Sequence, residues 1–202
     1  MFLRALNAIY IQAPLISKQD QKAFCNFAKC FVLGLESHHT GEEEAFFPGV
    51  EEMAGKPGIM QANVDQHHAF LPGFEKFHKY IESCLAETEK YDGNRIVALI
   101  DDFGPILTQH LHDEIETLLG LRCFGVERME RLYKSLEEEG QKITRNTGFL
   151  NGKFWKGINF PQAPRAIVAL FKHLVFPVHA SWWKFMPCSK NGTPKSNPYA
   201  RP

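Results

Sequence analysis

The chain has 202 residues, of which 44% are hydrophobic and 23% are charged, so it can bury one sizeable core and we expect one main domain. Lysine plus arginine and aspartate plus glutamate balance at 23 each, which argues against the strongly basic surface of a nucleic-acid-binding protein. The unbroken apolar stretches near the C-terminus are too short to span a bilayer, so we expect no membrane protein either.

The N-terminus and the cysteines indicate the compartment. The opening stretch MFLRALNAIYIQAPLI lacks the basic start, long apolar block and small-residue cleavage site of a secretory signal. The five cysteines are odd in number and form no CxxC pair, which is typical of reduced thiols. We therefore expect a cytosolic or nuclear protein without a signal peptide or a transmembrane segment.

Apolar residues recur at helical spacing along most of the chain. The spacing predicts a first short helix that begins almost at Met1 and ends at Pro14. A second helix begins near Ser17 or Asp20 and is expected to end at the Phe-Phe-Pro-Gly stretch at 46–49, because proline and glycine usually stop helices.

Three further helices are predicted after a loop at 53–58 that contains glycine and proline. The third closes at the turn 91–94, the fourth runs from about Asn94 to Leu119, and a more exposed fifth covers 126–142. The C-terminal segment is rich in proline and aromatic residues and has no clean period.

Four long amphipathic helices with short connections predict an all-α fold, an up-and-down antiparallel four-helix bundle. We expect it to carry an additional helix and an irregular aromatic C-terminal segment. The predicted division is a helical bundle at 1–140 and a C-terminal extension at 141–202 that packs on or beside the bundle.

Histidine followed by glutamate four residues later is unusually frequent in this chain. On a helix such residues share a face and lie about 6 Å apart, so one pair can hold a metal ion between its side chains. Composition alone predicts about one such pair. The chain has five: His38/Glu42, His39/Glu43, His78/Glu82, His110/Glu114 and His112/Glu116.

Helical phase separates these pairs. His38 and His110 continue the apolar stripes of their helices, as His67 does on the third helix. His112 points outward and is interpreted as solvated. His39 lies beside a partly apolar face, so the pair of His39 and Glu43 stays open as an alternative to His38 and Glu42.

Two other histidines are expected to lie apart from this set. Helical phase places His68 outside the apolar face of the third helix. His78 lies about 16 Å along the axis from His67, and we interpret it as a core-edge histidine paired with Glu82.

The inward glutamates Glu42 and Glu114 need a counter-charge, because carboxylates are almost never buried alone. Together with three inward histidines on three helices they predict a bound cation rather than polar side chains that merely satisfy one another. Mixed imidazole and carboxylate ligands favour iron or manganese, and bridging glutamates favour a pair of ions. Zinc remains an alternative from ligand type alone.

These motifs resemble the hemerythrin-like, HHE cation-binding family, and specifically its fungal branch. The resemblance covers FLRALNAIYIQAP, HHTGEEEAFFP, NVDQHHAFLPGFEKF and LTQHLHDEIETLL, and it extends to WWKFMPCSKNGTPK. It implies a hemerythrin-like bundle around a non-heme di-iron centre, in which carboxylates bridge the ions and histidines complete their coordination. The implied metal ligands are His38, Glu42, His67, His110 and Glu114, with Glu42 and Glu114 as the bridges.

The chain departs from the family pattern at its N-terminus. Family members usually carry a His-Asn shortly before the equivalent of LRALNAIY, and that histidine would fall just before Met1. Either the sequence is an N-terminally shortened form, or the protein lacks one ligand and one iron relies on water. Adjacent residues that could partly substitute are His39, Glu43 and His68.

The resemblance implies a metal-binding protein that handles dioxygen, nitric oxide or iron, so the expected partner is a small gas or iron itself. An iron-dependent oxidase or oxygenase of a fungal biosynthetic pathway is the enzymatic alternative, and an interaction module with a decayed metal site is a third. Reversible binding and catalysis use nearly the same parts, so whether the protein is an enzyme stays open. No nucleophile triad, phosphate loop or nucleotide motif supports another reaction class.

Overall fold

The computed structural model describes residues 2–134, 176–189 and 193–199. Within them no strand forms, apart from one isolated bridge between Cys188 and Pro194, and the predicted all-α class is confirmed. The long helices are α1 at Phe2–Gln12, α2 at Gln21–Gly41, α3 at Phe47–Ala54, α4 at Gln61–Leu85 and α5 at Gly93–Gly120.

The long helices pack as an antiparallel bundle in which α4 lies along both α2 and α5, and α1 contacts α2 and α5. No helix of the described residues is both long and apolar enough to cross a membrane. The predicted fifth helix at 126–142 is helical over 126–134, and its remainder lies outside the described residues.

Phenylalanine rings form most of the bundle core. Seven of those on α2, α4 and α5 are at most 1% exposed: Phe24, Phe27, Phe31, Phe70, Phe74, Phe77 and Phe103. Phe74 meets Phe31 and Phe103 edge to face, with ring centres 6.4 and 5.5 Å apart. Such pairs add about 0.5–1.5 kcal/mol each beyond the burial of apolar area.

The predicted end of the second helix at 46–49 is wrong. α2 passes through a π-helical turn at Glu42–Phe46, and the chain continues as α3 until Gly55, whose φ of 62° closes the helix in the left-handed region. Pro48 is tolerated because it lies in the first turn of α3. The preceding π-turn contains an extra residue and widens the helix where the proline ring would otherwise meet a carbonyl oxygen.

The described part of the C-terminal segment joins the core of the bundle. Its short helices are Phe176–Val178 and Ala180–Trp183. The Phe185 ring packs edge to face on Phe24, and its carbonyl accepts a hydrogen bond from the buried Gln12 side chain at 2.9 Å. The division at residue 140 stays a prediction, because 135–175 lie outside the described residues.

The junction between α1 and α5 leaves no room for a side chain at Gly93. A Cβ atom there would lie 2.0 Å from the carbonyl oxygen of Ala13, an atom that also accepts a hydrogen bond from Tyr91. The start of α5 therefore rests directly on the backbone that follows α1.

Gly93→Ala is expected to destabilise the fold by about 2–3 kcal/mol, because the backbone at Ala13 must shift. In a chain of this size that lowers Tm by roughly 5–10 °C in thermal unfolding followed by circular dichroism. Gly120→Ala is the matched control, since nothing lies within 4 Å of an added Cβ there. Equal Tm values for the two variants would contradict the close approach.

Candidate metal centre

The candidate centre lies where α2 enters its π-turn, between α4 and α5. Two groups of side chains converge there, and within each group one ligand atom per residue lies within 4.8 Å of all the others. The imidazole-rich group contains His39, Glu42, His67 and His110. The carboxylate-rich group contains His38, Glu42 and Glu114.

The structure therefore brings all five residues of the predicted ligand set close together. Glu42 belongs to both groups, as a bridging carboxylate would. Glu42 and Glu114 are only 3% and 6% exposed, so both acidic side chains face the interior as the sequence predicts. His67 and His110 are buried as well.

Aromatic rings surround the imidazoles. Phe2, at the start of α1, stacks on His38 with ring centres 5.2 Å apart. Phe70 lies 5.0 Å from the His39 ring, and Phe47 lies 5.7 Å from the His67 ring. Such walls keep the site dry, which strengthens the electrostatic interactions inside it.

Three buried polar atoms of the centre have no hydrogen-bond partner among the described residues: Nε2 of His39, Oε2 of Glu42 and Oε1 of Glu114. Leaving a buried polar atom unsatisfied costs about 1–3 kcal/mol, and more when the group is charged. All three atoms are of the types that bind transition metals. One cation, or a pair of cations, would satisfy them together, so the donor set fits a metal.

The orientation of His67 also fits a metal. Its Nδ1 lies 2.6 Å from Oε1 of Glu43, and a carboxylate only accepts, so the ring proton lies on Nδ1. Its Nε2 lies 3.1 Å from Nε2 of His110 and 3.6 Å from Oε2 of Glu42. Two nitrogens bound to one ion at about 2.1 Å each are separated by a similar distance.

The pKa values reflect the dry interior. Burial, with the neighbouring Glu114, raises the pKa of Glu42 to about 10. Burial, with the nearby His67, lowers the pKa values of His38 and His110 to about 4. Burial and the other histidines also hold the pKa of His39 far below its usual range. These imidazoles are therefore neutral near pH 7, which is the form that binds metals.

His39 lies in the imidazole-rich group, although helical spacing favours His38 over it as the inward residue. Its ring lies 4.3 Å from the His67 ring, and its Nε2 is one of the unpartnered buried atoms. Helical phase ranks His38 first because it treats the inward face as one narrow stripe. In the bundle, α2 is flanked on two sides, so the adjacent residues His38 and His39 both reach the centre.

Glu43 and the other histidines of the described residues belong to neither group. Glu43 lies at the outer nitrogen of His67, while His68 and His112 are exposed. His78 pairs with Glu36 and Glu82 at 2.8 and 3.6 Å, which agrees with its interpretation as a core-edge residue.

Comparison with known proteins agrees with this site. The model of the hemerythrin HHE cation-binding domain matches residues 3–121, which include every residue of both groups. The chain is 29% identical to the dimeric xanthone biosynthesis cluster protein R11 of Cryptosporiopsis sp. (strain 8999), over 96% of this chain and 77% of that protein. No solved structure gives a significant match. Because the domain match covers more than half of the chain, the protein belongs to the hemerythrin HHE cation-binding domain family.

Proposed function

We propose that this protein binds a pair of iron ions in the candidate centre and handles dioxygen, nitric oxide or iron. The observation that carries the proposal is the set of unpartnered buried atoms on His39, Glu42 and Glu114. Buried polar atoms of folded proteins usually have hydrogen-bond partners, so three atoms on neighbouring side chains of metal-binding types, all unpartnered within the described part of the chain, support a bound cation.

The two groups would offer different sets of ligands to the two ions. The imidazole-rich group offers three nitrogens and one carboxylate, whereas the carboxylate-rich group offers one nitrogen and two carboxylates. Mixed nitrogen and oxygen ligands suit iron, and three protein ligands leave coordination positions open for a small molecule. The proposed ligands are His38, His39, Glu42, His67, His110 and Glu114.

Bound iron would supply the redox chemistry towards dioxygen or nitric oxide. The chain itself keeps His38, His39 and His110 neutral by burying them. It also holds two carboxyl groups side by side and excludes water with the rings of Phe2, Phe47 and Phe70. Charge on the two carboxylates would be balanced by the ions rather than by protons.

The similarity to a xanthone biosynthesis cluster protein supports a second candidate, an iron-dependent oxidase or oxygenase of a fungal biosynthetic pathway. Such an enzyme needs room for an organic substrate beside the metal. A described cavity of about 640 Å³ is lined by Tyr80, Tyr91 and Arg95 near the start of α5. His110 lies about 22 Å farther along that helix, so this cavity does not lie beside the proposed metal, and a substrate of this candidate enzyme would need another approach to it.

Iron loading tests the proposal directly. After anaerobic reconstitution with ferrous iron, we expect about two ions per chain and an optical spectrum that changes on exposure to air. His110→Ala and Glu114→Ala each remove a proposed ligand and should lose most of the iron. Metal quantification and absorption spectra measure both effects.

The control for these variants is His112→Ala. His112 belongs to a His/Glu pair of the same spacing but is exposed, so its loss should leave iron content unchanged. A parent protein that takes up no iron, and whose Tm does not respond to it, would support the interaction module instead.

Glu42→Gln is expected to change stability in opposite directions with and without metal. In the metal-free protein the pKa of Glu42 is raised to about 10, above its ordinary value of 4.5, so this carboxyl group stabilises the fold fully below pH 4.5. That contribution is lost as pH rises towards 10. At pH 8 the variant should therefore have the higher Tm, by about 4 °C for 1–2 kcal/mol.

With iron present the same variant should have the lower Tm, because it lacks a shared ligand. Differential scanning calorimetry with a chelator or with ferrous iron measures both shifts, and the exposed Glu116→Gln should show neither. A decrease of equal size under both conditions would argue that Glu42 has only a packing role.

A further inference from the structure

A chain of hydrogen bonds crosses from α4 to α5 just outside the proposed ligands. Gln66 precedes His67 in sequence, and Asp113 precedes Glu114. The Gln66 amide lies between His110 and Asp113, with its Oε1 3.1 Å from Nδ1 of His110 and its Nε2 donating to Oδ2 of Asp113 at 2.9 Å. Gln109 donates to the other oxygen of Asp113 at 2.6 Å.

Only one arrangement of protons fits this chain with neutral His110. The Asp113 carboxylate accepts hydrogen bonds and cannot donate, so the amide of Gln66 must turn its NH2 group towards Asp113. Its oxygen then faces His110 and also accepts, which places the proton of the neutral imidazole on Nδ1. Nε2 of His110 keeps its lone pair and faces Nε2 of His67 at 3.1 Å.

We propose that Gln66 and Asp113 are positioning residues that fix the metal-binding tautomer of His110. The inference rests on the proposed metal function and extends it to two residues outside both ligand groups. Hydrogen-bond partners of metal-bound histidines typically change metal affinity 10–100-fold.

The orientation of His67 is also fixed by a hydrogen bond at its Nδ1, but without an intervening amide. Its Nδ1 donates directly to the carboxylate of Glu43, a residue about one-third exposed, which leaves Nε2 as the nitrogen that can bind a metal. Two separate contacts thus turn Nε2 of His67 and Nε2 of His110 towards each other, 3.1 Å apart. At that distance either a proton or a metal ion can lie between the two nitrogens.

An electrostatic argument explains why the neutral Gln66 amide, rather than a carboxylate, contacts His110 directly. His110 is fully buried, and the centre already contains the two buried carboxylates of Glu42 and Glu114. A third buried carboxylate in direct contact with His110 would cost several kcal/mol. Instead, the half-buried Asp113 carboxylate orients the neutral Gln66 amide, and this amide orients His110.

Cobalt(II) titration of the metal-free protein tests the inference, because cobalt reports its coordination through visible absorption bands. Asp113→Ala frees the Gln66 amide to rotate, and Gln66→Ala removes it, so both should weaken cobalt binding about 10-fold or more in chelator competition and alter the visible bands. Nitrogen NMR of the metal-free protein should show the Nδ1-protonated tautomer of His110 in the parent and a mixture in Asp113→Ala.

Asp113→Asn is the conservative rescue. Its side-chain oxygen still accepts from Gln66, and its amide donates to the exposed Gln109 once that side chain turns, so affinity and spectrum should stay close to those of the parent. Glu116→Ala removes an exposed negative charge from the same helix and controls for charge loss. It should bind cobalt as the parent does.

Cobalt affinity in Asp113→Ala equal to that of a tightly binding parent would overturn this inference and leave the proposed function intact. Equal weakening in Asp113→Asn and Asp113→Ala would also overturn it, since charge rather than position would then be responsible. A parent that binds neither cobalt nor iron would overturn the proposed function together with the inference.

Discussion

Two carboxyl groups, those of Glu42 and Glu114, lie next to each other in an otherwise largely apolar interior, surrounded by imidazoles and aromatic rings. Removing even one such charge from water costs several kcal/mol unless a partner compensates it. In the metal-free chain the proton on Glu42 is that compensation, which is why its pKa rises to about 10. The surrounding histidines cannot replace this proton, because the same dry environment keeps His38 and His110 neutral. A divalent cation is the natural substitute, and the arrangement of ligands, walls and outer hydrogen bonds is consistent with that role.

The π-turn at Glu42–Phe46 links the centre to the rest of the fold. It places Glu42 in the interior and lets the next residue, Glu43, contact the outer nitrogen of His67. At the end of the turn, Phe46 and the following Phe47 enter a second apolar cluster with Val50, Met60 and Leu121, apart from the main core. The extra residue of the π-turn thus positions the proposed ligand Glu42 and the residue Glu43, which orients His67. It also anchors Phe47, whose ring packs beside His67. π-turns occur frequently at functional sites for this kind of reason.

Much of the centre could be predicted from the sequence, because helical spacing alone places His38, Glu42, His67, His110 and Glu114 on inward faces. Helical spacing underestimates His39, because a single helix does not show on which sides its neighbours pack. The predicted helix end at Pro48 is wrong because a π-turn leaves no recognisable pattern in composition. Gln66 and Asp113 had no signal at all, since their contact joins two helices and depends on side-chain rotamers.

The two ends of the bundle differ in what holds them together. Near Ala13 and Gly93 the backbones touch, phenylalanines interlock, and the C-terminal segment adds Phe185 to the core. At the opposite end, the packing includes the side chains of the candidate centre, whose buried atoms on His39, Glu42 and Glu114 that lack a partner within the described residues are all of metal-binding types. The end near Gly93 is stabilised by close packing, whereas the stability of the end with the candidate centre depends on whether a cation binds there. A metal-free protein would thus stay folded through its phenylalanine core, while the end with the candidate metal centre would be the less stable part.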